Sequence, residues 1–155
     1  MISEIQEKKL IDNDLFVSAV KETLDSGLDV SFTVTGMSMW PLFTGRRDSV
    51  TVKKCTFSEI RKGDIILFSP VGNIHLLHRV TDKTDNSFTT AGDGNTFTDG
   101  TFTPDKLIAK VCSFSRKGKK YSVDEKMFRL FSRVWIWLFR IRKPVLTILK
   151  KVKKL

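Results

Sequence analysis

Val30, Phe32 and Val34 stand at every second position of "DVSFTVTG", separated by polar residues. A period of two is the side-chain repeat of a β-strand with one buried face. The same alternation returns in "DSVTVKK", with Val50 and Val52 inward. "IHLLHRV" and "KLIAKVCSFS" read as further strands, and "RKGKKYSV" suits a hairpin. "GDIILF", Gly63 to Phe68, is a continuous apolar run and fits a central strand buried on both faces. "SPVGN" is a turn, and "SFTTAGDGNTFTDGTFTP", rich in Gly, Asp, Asn and Thr, is expected to be loop. Short strands divided by such turns restrict the chain to a mainly β fold, a small coiled-sheet, barrel-like or sandwich domain.

One helix is expected before the strands. Ile5, Leu10, Ile11, Leu15, Val20 and Leu24 fall on or near one face, with Gly27 as its stop. The expected organisation is therefore a helix over 1–27, a β domain over 28–124 and a distinct tail over 125–155. The tail differs in charge as well as pattern. Residues 127–155 carry nine Lys or Arg and no Asp or Glu, whereas 1–126 hold 18 basic and 17 acidic residues. All but one unit of the +10 net charge thus belongs to the tail, and a nearly neutral body argues against nucleic acid as a partner.

The tail has helical periodicity. Arg129, Ser132, Arg133, Arg140 and Lys143 form one polar stripe, and Leu130, Phe131, Val134, Trp135, Leu138 and Ile141 cover the other side. Its longest uncharged run, Val134 to Phe139, is too short to span a bilayer, and Pro144 should break or kink the helix. Trp and Phe opposite Arg and Lys suit the plane of an anionic membrane surface, with Trp135, Trp137, Arg140 and Lys143 as contacts. Packing on the β domain or on a second copy is the competing expectation. The charged start of the chain is read as neither a signal peptide nor a membrane anchor. Cys55 and Cys112 lack partners at metal-ligand spacing and are expected to be small buried apolar residues. No metal or other cofactor is expected.

Chemistry is expected at "VTGMSMWPLF", where Ser38 sits between two methionines at a strand end. A serine nucleophile needs a base, oxyanion donors and a cleft. The chain has two histidines, His75 and His78, three apart on one predicted strand and so facing opposite ways. His78, placed late in that strand, is the candidate base, because imidazole exchanges protons near neutrality. Asp93 and Asp99 in the following loop could orient it.

In their order along the chain, "TGMSMWPLF", "DSVTV", "KGDIILF", "HRV", "AGDGNTFTDG" and "LIAKV" resemble the signal peptidase I and repressor-autoprotease superfamily, over about Val34 to Val111. The likeness is nearest to the branch whose base is His. It implies a signal-peptidase-type β domain and a serine endopeptidase that removes a leader or signal segment from a peptide or small protein. Ser38 would be the nucleophile and His78 the base. Asp99 would be the favoured third member, with Asp93 assisting or holding the loop. An extended substrate would lie along "DVSFTVTG" with small residues before the cut. Gly36, Met37, Met39 and Pro41 would border the groove or the oxyanion site. Met37 stands where the family has a small residue, and Trp40 where many relatives have an acid. The expected location is peripheral on a membrane, at the cytoplasmic face, with soluble cytoplasmic as the second choice. Two other readings stay open: a catalytically inactive peptide-binding or membrane-docking member of the same fold, and a self-cleaving repressor-type regulator.

Overall fold

A computed structural model describes the backbone of residues 2–154 and the side chains of residues 13–154. Helix α1, Ile2–Asp25, is followed by strands β1, Val30–Thr33, and β2, Asp48–Lys53. Then come β3, Ile65–Phe68, β4, Leu76–Lys83, β5, Phe88–Ala91, β6, Gly100–Phe102, β7, Leu107–Arg116, and β8, Lys119–Ser122. Helices α2, Lys126–Trp137, and α3, Arg142–Lys153, close the chain. All eight strands join one antiparallel sheet in the order β1-β2-β7-β3-β4-β5-β6, with β8 paired to β7. The sheet is open rather than a closed barrel, and β1 is an edge strand.

Strand β3 organises the interior. Ile65 and Leu67 enter a cluster with Val50, Val52, Val111 and Phe43, while Ile66 and Phe68 enter a second with Ile60, Val80 and Phe88. Its unbroken apolar run therefore fills two cores, as expected of a strand covered on both faces. Lys117 and Gly118, at φ 50° and 77°, make the two-residue turn between β7 and β8 that the right-handed strand twist favours.

Two expectations about the loops change. The stretch read as loop after β4 contains β5 and β6. Phe88 pairs with Phe102, and the Thr89 and Thr101 hydroxyls lie 2.8 Å apart. Strands this short, rich in Thr and interrupted by Gly100, give too few alternating positions to stand out. His75 precedes β4, and His78 is the third residue of that strand rather than a late one.

α1 buries Val17, Val20 and Leu24, an i, i+3, i+7 set, whereas Leu15 is exposed. The expected positions Ile5, Leu10 and Ile11 lie outside the described side chains. The helix ends as expected near Gly27, at φ 86°, whose N–H bonds the Leu24 carbonyl. Cys55 and Cys112 are free and half-buried. Burial, aided by the nearby Glu59 charge, pushes the Cys55 thiol up to about 11.

The tail is not a free helix on the outside of the fold. Trp135 and Leu146 pack with Trp40 in a third apolar cluster. Trp135, expected at a membrane surface, is 5% exposed, and Ser132, expected on the polar stripe, is buried. Phe131 and Trp135 face the domain, while Leu130, Val134, Trp137 and Ile141 face outward. One helix thus carries two apolar sides, which its sequence periodicity merged into one. The α2–α3 break spans Leu138–Ile141, just ahead of Pro144 in the first turn of α3. Among the described residues no helix is long and apolar enough to cross a membrane.

Candidate active site

Ser38 sits on the turn that leaves β1, exposed in a cleft of about 350 Å³. Thr33, Val34 and Thr35 line one side, His78 and Leu77 another, and Phe16 and Val17 of α1 contribute a third. His75 lines the cleft too. The expectation that only one histidine could do so fails because His75 lies before β4, where strand parity does not apply. Its Nδ1 is 2.5 Å from Ser69 Oγ and its Nε2 3.3 Å from Asp14 Oδ1, so it ties α1 to the β3–β4 end.

The imidazole of His78 is nearly buried, and its Nδ1 donates to Asp99 Oδ2 at 2.7 Å. The same oxygen accepts from Thr90 Oγ1 at 2.8 Å, and the Asp99 N–H bonds the Thr90 carbonyl. The β5–β6 pair thus fixes the carboxylate, which fixes the ring. With the proton on Nδ1, the Nε2 lone pair is the free one. Nε2 reaches the Ser38 turn through Gly92. A Cβ on that glycine would lie 2.5 Å from the Ser38 carbonyl oxygen and 3.2 Å from His78 Nε2. Ser38 Oγ and Nε2 are not hydrogen-bonded to each other, an arrangement that free active sites commonly show before substrate tightens them.

Asp93 goes elsewhere. It forms a fully buried two-point pair with Arg79, both contacts at 2.7 Å. Arg79 also donates to the Gly63 carbonyl and to Ser132 Oγ of α2. Asp93 therefore anchors the loop and does not touch His78. On the loop's other side, Arg142 is 1% exposed and donates to the carbonyls of Gly92, Asn95 and Trp135. Burial pushes its guanidinium down to about 10, with Asp93 opposing that effect, so it stays charged at neutral pH. Sequence reading missed Arg142, Thr90 and the packing role of Gly92. Arg142 followed the tail's basic pattern, and nothing local distinguishes it.

Gly36, at φ 77°, shapes the turn entry, and its carbonyl accepts from the Gly45 N–H. The backbone N–H groups of Met37, Ser38 and Met39 bond no acceptor among the described residues, which leaves Ser38 N–H free for an oxyanion. Met39 is buried and forms part of the cleft wall. Met37 is exposed and lies outside the cleft lining, in a neighbouring hollow with Trp40 and Gly94. Pro41 is half-buried in the turn, away from the cleft lining. Arg140 and Lys143 are exposed on the tail. Among the described residues no three His, Cys, Asp or Glu side chains cluster to hold a metal. No known family model matches the chain, and no curated protein matches it either.

Proposed function

We propose that the chain is a serine endopeptidase of the signal-peptidase type, removing a leader or signal segment from a peptide or small protein. The observation that carries this reading is one cleft lined by the exposed Ser38 and by His78, whose ring Asp99 holds at 2.7 Å. A peptide adds to the unpaired edge of β1 as an extended strand, with small side chains placed next to Ser38. Ser38 Oγ attacks the scissile carbonyl while His78 Nε2 takes its proton. Asp99 holds the ring and steadies the imidazolium, and the Ser38 N–H faces the oxyanion. The imidazolium then protonates the leaving amine. Water, deprotonated by the same ring, hydrolyses the acyl-enzyme and frees Ser38.

The open β sheet with its flanking helices is read here as the signal-peptidase-type fold. A peripheral place on an anionic membrane, at the cytoplasmic face, is part of the proposal. Met127, Leu130, Val134, Trp137 and Ile141 form an exposed apolar row on α2 and the turn after it, with Arg133 and Arg140 exposed nearby. Such a row partitions into the headgroup layer while its basic neighbours meet anionic lipid.

The test is a cleavage assay on a complex peptide library, with new termini read by mass spectrometry for the wild type and Ser38→Ala. Cuts after small residues made only by the wild type are the expected result. Activity should fall on acidification, because imidazolium cannot accept the serine proton. Identical products from both proteins, with and without lipid, would overturn the reading.

A further inference from the structure

A second hollow of about 440 Å³ borders the Ser38 turn, lined by Met37, Trp40, Gly94, Lys150, Lys153 and Lys154. It begins at the nucleophile's own backbone. A Cβ on Gly94 would lie 3.0 Å from the Met37 carbonyl oxygen and 3.3 Å from that of Ser38. If a substrate joins β1 up to Ser38, the residues after the cut bond continue over Met37 toward this hollow. From the reading of Ser38 as nucleophile, we infer that the hollow selects substrates carrying acidic residues just after the cut bond.

Three observations support this. Among the described residues, no carboxylate lies within 4.0 Å of Lys150, Lys153 or Lys154, whereas Lys54, Lys106 and Lys110 each have one. Asp93, the carboxylate next to Gly94 in the chain, is buried and committed to Arg79, and Arg142 adds positive charge behind the same loop. Lys153 Nζ stands 5.8 Å from the Trp40 ring centre, so an aromatic wall backs the cations. The complementary ligand is an anionic segment.

A lipid headgroup is the rival occupant, and helix geometry disfavours it. At about 100° per residue, Lys150 and Lys154 lie roughly 200° round α3 from the exposed Ile148 and Val152. Lys150 and Lys154 therefore face away from the exposed apolar side of α3 and into the hollow.

The test uses the Ser38→Ala chain and dye-labelled peptides in which a run of alanines precedes a run of glutamates, glutamines or lysines. Binding is followed by fluorescence anisotropy, and cleavage of the same peptides is measured with the wild type. The glutamate peptide should bind on the order of tenfold more tightly than the glutamine one, the sum of three modest exposed pairs. The advantage should shrink with added salt. It should vanish in the Lys150→Gln, Lys153→Gln, Lys154→Gln triple variant and reverse toward the lysine peptide in the triple Lys→Glu variant. All three lysines are exposed, and unchanged melting temperatures verify that the variants fold.

Equal binding of the glutamate and glutamine peptides, or no binding of any, would overturn the inference. So would variants that keep the preference yet detach from phosphatidylglycerol vesicles, since the lysines would then serve lipid. Acid-selective binding with no cleavage by the wild type would leave this site standing and remove the protease reading. Cleavage without acid preference would do the reverse.

Discussion

Asp93 and Asp99 share one loop and have opposite surroundings. Asp93 neutralises a buried guanidinium, and Asp99 holds an imidazole at the edge of a cleft. Their amides should therefore fail differently. Asp99→Asn should lower kcat roughly 10³–10⁴-fold, by favouring the wrong imidazole tautomer, with little change in melting temperature. Asp93→Asn should cost about 3–5 kcal/mol of stability, because the Arg79 charge is left buried without a partner. Thermal melts beside kcat measurements separate the two, and matching profiles would defeat the assignment of Asp99. Gly92→Ala should also lose activity, since its Cβ would enter the space between the Ser38 carbonyl and His78 Nε2. Kinetics on a folded variant checks this. Ser38, His78 and both aspartates were legible as candidates from their residue types and order. The resemblance favoured Asp99, but residue type and position alone did not separate the two, because their separation along the loop is compatible with either contact.

At the scale of elements, α2 is the informative case. Trp135 and Trp137 are two residues apart and 5% and 78% exposed. Trp135→Ala should cost about 3–5 kcal/mol, as large-to-small changes in a packed cluster do. Trp137→Ala should leave stability within about 0.5 kcal/mol and weaken binding to anionic vesicles. Melting curves and vesicle co-sedimentation check the pair. Undiminished vesicle binding in Trp137→Ala would remove the outward row as a membrane contact. The helix itself was readable from its period. Its orientation was not, because Ser132, and Arg142 at the start of α3, are polar groups that become interior only where Arg79 and the Gly92 and Asn95 carbonyls can receive them.

Across the whole molecule, Asp48 ties the Ser38 turn to the sheet. Its buried carboxylate accepts from the Thr44 N–H, from Arg47 and from Arg116 of β7, and Arg116 also reaches the Leu42 carbonyl. Burial alone would raise this carboxyl, but the hydrogen bonds of Arg47, Arg116 and Thr44 overcome it and hold the group well below the usual carboxylate range. A depressed folded value means the contribution is present above the unfolded value of about 4 and is lost as pH falls below it. The wild type should accordingly lose stability below about pH 4 more steeply than Asp48→Asn, which lacks this proton linkage. Melting temperatures across that range provide the measurement, and parallel curves would exclude Asp48 as the cause.

The sequence by itself determined the mainly β class, the doubly buried β3, the leading helix and the set of residues able to do chemistry. These follow from local periods and side-chain identity, which short windows carry. Tertiary structure alone decided that the sheet stays open and that β5 and β6 exist, and it brought Asp99 to His78 and Asp93 to Arg79. It also decided that the basic tail packs behind the Gly92–Asp99 loop. Each of these depends on contacts between distant parts of the chain: Thr90 with Asp99, Arg79 with Asp93 and Ser132, Trp40 with Trp135 and Leu146. Such contacts are set by burial and by the need to satisfy buried charge, and a window of neighbouring residues contains neither.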